Sequence, residues 1–377
     1  DKDLWQKVIS EHGGKLPITI RAVEDGTIVR PGEPVISVEG PSEFAAIYEA
    51  FFLRAFYETV VATDAKYLAD IIGNPERVAE FGCRAAQNEA AHMDGVEAMY
   101  VGSGITKTSD DAAAVAYPFL KADGTTAHRY LACHATEDEA FENAIQKADR
   151  ITLLVDLVDS YQGIEKIIAL KKKYRHTGKM IGFRLDSGDL LDQTLYALRR
   201  LQEENMLDPK FDKIVVADIS NFDKIIEIET KVREAGFDPE TFIAYGLGGL
   251  IVAKNKTRDA VSAAFKLTET EEFVTGKFSS DEGKIAIPGT LDIEIRDGAR
   301  VIVQHDEEVQ GKRLFKTVYA NGNLQYTEND LDAIKSARTR ASKRVADVLA
   351  HPTRRSEKTE KLMEAFKARV GKVIAAA

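Results

Sequence analysis

The sequence predicts an α/β fold built on parallel strands, and three observations predict it. Short apolar runs recur at Thr152–Val155, Ile181–Leu185, Lys213–Ala217 and Phe242–Tyr245. An amphipathic stretch of helical period separates each run from the next. Each run ends on polar or glycine residues: Asp156; Arg184 and Asp186; Asp218; then Gly246, Gly248 and Gly249. Repeated strand–helix units imply parallel strands joined by right-handed crossovers, in a barrel or a doubly wound sheet. In both, ligands sit at the C-terminal strand ends, so this register marks a candidate site.

Ahead of that region, Leu16–Ala22 alternates, with Ile18 and Ile20 on one face and Thr19 and Arg21 on the other. Glu24-Asp25-Gly26 and Pro31-Gly32 are turn signals, and Val35–Val38 is a second short strand. Residues 43–72 read as one long helical stretch. In the alternating region, Ile164, Ile167 and Ile168 mark one helix, Leu191, Leu195, Leu198 and Leu201 a second, and Phe222, Ile225, Ile226 and Val232 a third. Residues 265–320 return to strands and turns, and 327–377 are charged and helical. The Lys171–Lys173 run reads as a solvated outer helix face.

The chain has 377 residues, 44% of them hydrophobic and 30% charged, enough for a sizeable core. The net charge of −10 disfavours nucleic acid and anionic membrane as partners. An anionic substrate therefore needs a local cluster of cations or backbone N–H groups. Two cysteines, Cys83 and Cys133, make no disulfide framework and no CxxC pair, which points to a reducing, cytoplasmic compartment. There is no apolar run of membrane-spanning length and no signal-peptide pattern.

Four stretches carry candidate chemistry. In Gly182–Asp189 (GFRLDSGD), Arg184 and Asp186 share one strand face and Ser187, Gly188 and Asp189 turn into a helix. This suits an anionic ligand, with a bridging divalent metal through Asp186 and Asp189; a rim ion pair with Asp189 as helix cap would use the same residues. In Asp123–His128 (DGTTAH), His128 is a candidate nucleophile or acid/base, or simply a polar residue at a helix start. Tyr245–Gly249 (YGLGG) can bring backbone N–H groups to a phosphate, or can be only a tight turn. In Phe81–Arg84 (FGCR), Phe81 could stack on a planar anion and Arg84 pair with it, or the two could be a core ring and a surface cation. No spacing matches a zinc site.

Taken together and in order, these stretches resemble the nicotinate phosphoribosyltransferase family over most of the chain. Thr27–Pro34 with Val38–Pro41 is similar to its early strand module, and FGCR to its FGxR element. Tyr100–Gly102 through Thr108-Ser109 resembles YxGG…GTSN, and Gly124–His128 resembles GTxAH. Arg184–Asp189 matches RLDSGD, and Tyr245–Gly249 resembles FGVGT. Phe265–Leu267 and Ile287–Gly289 resemble the later strand module.

The resemblance implies an incomplete α/β barrel packed with an α/β sandwich domain formed from both chain ends. It divides the chain as 1–75 (sandwich strands and helix), 76–262 (barrel with active site) and 263–377 (return to the sandwich). It implies that nicotinate and phosphoribosyl pyrophosphate give nicotinate mononucleotide and pyrophosphate in NAD salvage, in a homodimer with sites near the interface. It implies Mg2+, and ATP as co-substrate through a phosphohistidine at His128. Thr125 and Arg184 would contact nicotinate, with Arg84 and Phe81 beside it. Asp186 and Asp189 would hold ribose hydroxyls or magnesium, and Gly246, Gly248, Gly249 and Asp218 would lie at phosphate. The physics agrees: displacement at ribose C1 passes through a cation-like sugar that carboxylates stabilise, and an always-charged guanidinium suits the nicotinate carboxylate.

Three residues depart from the family pattern. Arg129 follows the histidine in place of Ser, Gly249 replaces a hydroxyl residue, and Asp218 stands where the family has Ser. The family's TDLYQ-type N-terminal segment, which supplies a stacking aromatic, is missing, and a truncated or incompletely represented chain is expected. Nicotinamide or quinolinate as the base, and a non-catalytic homologue, are the alternatives at this point.

Overall fold

The computed structural model describes residues 2–210, 213–278, 285–325 and 331–376, with side chains to 370. The start of the helical region expected from 327 lies outside the described residues. The chain forms two compact units, Glu58–Lys256 and a second made from both chain ends, Asp1–Tyr57 with Thr257–Ala377.

The strands are β1 (Thr19–Val23), β2 (Ile36–Glu39), β3 (Val78–Glu80), β4 (Lys107–Thr108), β5 (Lys121–Ala122), β6 (Arg150–Leu154), β7 (Met180–Leu185), β8 (Ile214–Ala217), β9 (Ile243–Leu247), β10 (Leu291–Arg296), β11 (Ala299–Gln304), β12 (Lys312–Arg313), β13 (Phe315–Ala320), β14 (Asn323–Leu324) and β15 (Arg354–Arg355). In the Glu58–Lys256 unit, β3 to β9 make one parallel seven-stranded sheet in the order β5-β4-β3-β9-β8-β7-β6. This is an incomplete α/β barrel with β5 and β6 as its free edges. The four strands read from the sequence form its β6–β9 half; β3, β4 and β5 are too short to leave a periodic signal.

The strand-end register follows from packing. Leu153, Leu154, Phe183, Leu185, Ile214, Val216, Ile243 and Tyr245 are buried within the sheet's layers. Helices Ser160–Tyr174, Leu190–Glu203 and Phe222–Glu234 cover it with Ile164, Ile167, Ile168, Leu198, Leu201, Ile225 and Val232. Ile226 is exposed, and Ile228 is the residue buried in its place, one turn on from Ile225. Lys171 departs from the expected solvated face: it is buried, and its Nζ donates to the Ile181 carbonyl at 2.6 Å. A lysine can bury its stem where its head finds a carbonyl.

The other unit contains two four-stranded sheets, β14-β13-β1-β2 and β12-β10-β11-β15. Val8, Ile18 and Phe44 form one of its cores, and Ile287, Ile302 and Met363 another. Arg21, expected on the polar face of its strand, is buried in an ion pair with Glu39.

The expected single helix at 43–72 is three: Ser42–Ile47, Glu49–Arg54 and Phe56–Ile72. The boundary between the units falls after Tyr57, not at 75/76, and the second after Lys256, not at 262/263. The third helix belongs with the barrel because Val61, Ala65 and Leu68 are completely buried and because helix Glu89–Ser103 meets it at Gly102. A Cβ on Gly102 would lie 2.0 Å from the Ala62 carbonyl oxygen, so only glycine allows that approach. No helix among the described residues is long and apolar enough to cross a membrane.

Candidate active site

The site lies at the C-terminal ends of the barrel strands, and its position is set by how the chain crosses the gap between the sheet edges. After β5, Asp123 donates its N–H to the Thr108 carbonyl at 2.9 Å. Three residues on, Thr126 donates to the Thr152 carbonyl of β6 at 3.0 Å, and its Oγ1 accepts from Leu154 N–H at 2.9 Å. Residues 123–126 thus run from one free edge to the other. Thr125 comes to face β7, and His128 comes to face the end of β6.

Arg184 is held from two sides on β7. Nη1 donates to Thr125 Oγ1 at 2.9 Å and Nη2 to Asp186 Oδ1 at 2.7 Å. The guanidinium carbon lies 5.5 Å from the centroid of the Phe81 ring, a cation–π contact. Phe81 is seated in turn by Gly246, where a Cβ would lie 2.3 Å from the ring. Gly246 is therefore buried packing space, whereas Gly248 and Gly249 are partly open. Arg184 Nε is buried and has no hydrogen-bond partner among the described residues.

His128 is the first residue of helix His128–Ala132, with half its side chain exposed. Its Nε2 is 3.2 Å from Asp156 Oδ1, and its Nδ1 is 4.0 Å from Asp186 Oδ2. Asp156 Oδ2 accepts from Ser187 Oγ at 2.6 Å. Asp156 Oδ1 is buried and accepts no well-formed hydrogen bond among the described residues. His128, Asp156 and Asp186 offer ligand atoms within 4.8 Å of one another, a grouping able to hold a cation.

The structure therefore brings together Thr125, His128, Arg184, Asp186 and Phe81. Asp189 is not in this group: its Oδ1 caps helix Leu190–Glu203 by accepting from Asp192 N–H at 3.0 Å. Asp156 takes the position beside Asp186 that the sequence reading gave to Asp189. Its signal was its place just after an apolar strand; Ser187 lay inside the recognised motif. Arg84 is exposed on the short turn Cys83–Ala85. Asp218 is exposed, has φ of +54°, and lines a cleft of about 500 Å³ with Gly188, Ser220, Asn221 and Lys224. A left-handed residue at a strand's ligand end is strain of the kind that functional sites retain.

The model of the nicotinate phosphoribosyltransferase (NAPRTase) family matches residues 77–321, more than half of the sequence. The chain belongs to that family. Nicotinate phosphoribosyltransferase of Bacillus subtilis is 29% identical over 296 residues, covering 77% of this chain and 56% of the relative. Nicotinate phosphoribosyltransferase pncB2 of Mycobacterium tuberculosis is 27% identical over 309 residues, covering 80% of this chain and 63% of the relative. The chain thus spans a little over half the length of these family members. Nicotinate-nucleotide pyrophosphorylase from Pyrococcus furiosus shares the fold, with a TM-score of 0.66 at 19% identity over 92% of this chain and 84% of that one.

Proposed function

We propose that this family member is a nicotinate phosphoribosyltransferase, forming nicotinate mononucleotide and pyrophosphate from nicotinate and phosphoribosyl pyrophosphate. The observation that carries the reading is Arg184, a guanidinium fixed by Thr125, Asp186 and the Phe81 ring, with buried Nε left to donate. A rigid planar cation recognises the carboxylate of a flat anion in a way that a neutral amide does not reproduce. This favours nicotinate over nicotinamide.

In this reading the cleft beside Asp218 receives the phosphoribosyl group, and the open Gly248-Gly249 turn and exposed Arg84 lie at the anionic ligands. The carboxylates of Asp156 and Asp186 face the sugar and stabilise the positive charge that develops at C1 as pyrophosphate departs. Oxygen donors are what magnesium takes, and Asp156 and Asp186 offer carboxylate oxygens within 4.8 Å of each other, so they would hold the ion. When bound, it would supply charge neutralisation for the leaving pyrophosphate. Asp189 acts through the helix that it caps.

ATP enters through His128. Asp156 Oδ1 is placed to keep the imidazole proton on Nε2, which leaves the Nδ1 lone pair for the γ-phosphorus. The N–P bond forms as the bond to ADP breaks, and hydrolysis of phosphohistidine later drives the synthesis forward. The enzyme works as a homodimer in the cytoplasm.

The test is pyrophosphate release with phosphoribosyl pyrophosphate and magnesium. Nicotinate, nicotinamide and quinolinate are compared, each with and without ATP. Release with nicotinate, stimulated by ATP, is expected, and His128→Ala should abolish the stimulation. Full ATP-stimulated turnover in that variant overturns the histidine role. Release only with another base moves the specificity, and none with any base overturns the catalytic reading.

A further inference from the structure

A second constellation sits at the barrel mouth, at the ends of β3 and β4, with Cys83 next to Arg84 on the same turn. Cys83 is exposed on the turn after β3. His92 is buried in helix Glu89–Ser103. Asp110 is the N-cap of helix Asp111–Ala116. Cys83, His92 and Asp110 offer a sulfur, a nitrogen and an oxygen within 4.8 Å of one another.

The division of labour among the atoms is what makes this more than an ion pair. Asp110 Oδ1 is occupied, accepting from Ala112 N–H at 2.9 Å, while Oδ2 faces His92 Nδ1 at 3.0 Å. The far ring nitrogen, Nε2, faces Glu80 Oε2 at 3.3 Å without closing a well-aligned hydrogen bond among the described residues. Glu80 is itself completely buried and fixed: Thr108 Oγ1 donates to its Oε2 at 2.7 Å, and the Gly82 N–H donates to its Oε1. A buried carboxylate behind one ring nitrogen, with the other nitrogen facing open ligand atoms, is the carboxylate–histidine–metal arrangement. Glu80 and Asp110 hold the imidazole above the usual histidine range, and burial with Asp110, Glu80 and Glu89 raises the Cys83 thiol.

We propose that Cys83, His92 Nδ1 and Asp110 Oδ2 form a zinc site with three protein ligands and one open position, and with Glu80 orienting the histidine. A thiolate, an imidazole and a carboxylate are the donor set of zinc rather than of magnesium or calcium. Binding displaces the Cys83 proton, and the thiolate and Asp110 carboxylate then balance the metal's charge. The metal would tie the Cys83–Ala85 turn, and so Arg84, to the helices that follow β3 and β4.

The experiment titrates zinc alone into the chelator-treated full chain against a chromophoric competitor. One equivalent is expected. Cys83→Ser should weaken it at least about tenfold, and so should Asp110→Asn, which keeps the helix cap and hence the fold. His128→Ala, which alters the other cation-capable cluster, should leave it unchanged. Cobalt should give a thiolate charge-transfer band that Cys83→Ser removes. No stoichiometric binding, binding that survives Cys83→Ser, or binding lost in His128→Ala each overturns the proposal.

Discussion

Two arginines of the barrel stand over aromatic rings and pair with carboxylates, yet their surroundings differ. Toward the N-terminal ends of β3 and β9, Arg77 donates to the Ile243 and Ile72 carbonyls and pairs with Glu229 at 2.5 Å, and Tyr245 donates to the same Glu229 oxygen at 2.7 Å. Burial pushes the Tyr245 phenol up, so it stays a donor. At the opposite end, among the described residues, Arg184 Nε has no hydrogen-bond partner, and Asp156 Oδ1 has only the His128 imidazole, 3.2 Å away and not well aligned. A closed network holds elements together. A network with open valences is complete only when something else arrives.

That contrast can be broken in four ways. The largest effect is expected from Glu229→Ala, which strands the Arg77 charge in the interior. Unfolding free energy should fall by about 3–5 kcal/mol, read by denaturant titration, with turnover per folded molecule unchanged. Lost turnover without lost stability would show that the two ends are not divided this way. Arg184→Lys should do the reverse. A charged hydrogen bond contributes about 1.5–3 kcal/mol, so kcat/KM for nicotinate should fall about 10–100-fold while the melting temperature barely moves. Gly246→Ala sits between the two. Overpacking against Phe81 should cost about 1–3 kcal/mol, and the displaced ring should also raise the KM for nicotinate. Asp189→Ala should lose the helix cap, about 1 kcal/mol, while Asp189→Asn should retain both stability and turnover. If the Asn variant is stable but inactive, the Asp189 carboxylate has a chemical role beyond capping.

What was legible in the sequence follows the same division. The β6–β9 half of the barrel was readable because each strand buries two or three apolar side chains between amphipathic helices. The strands β3, β4 and β5 were not, because two or three residues carry no period. Arg184 and Asp186 were placed together by the two-residue alternation of a strand, which is local. Asp156 was missed as a partner of His128 because their meeting depends on residues 123–126 reaching a strand that comes later in the chain. Lys171 was misplaced for a related reason: the carbonyl that receives it belongs to another element. Gly246 looked like a phosphate turn, and its actual neighbour, Phe81, is 165 positions away along the chain.

The crossing at residues 123–126 also fixes a length. Asp123, which follows edge strand β5 and bonds to β4, and Thr126, which bonds to edge strand β6, are three residues apart. Extended chain spans at most about 3.3–3.6 Å per residue, so this strap can reach no farther than about 11 Å. The width of the barrel's opening is thereby capped by covalent geometry, not by the packing of its walls. Removing one residue from the strap must either draw the edges together or unhook an anchor. Adding one must slacken it and let the imidazole beyond it swing away from Asp156. In this molecule the bore of the barrel and the aim of His128 are one dimension, tailored by the same four residues.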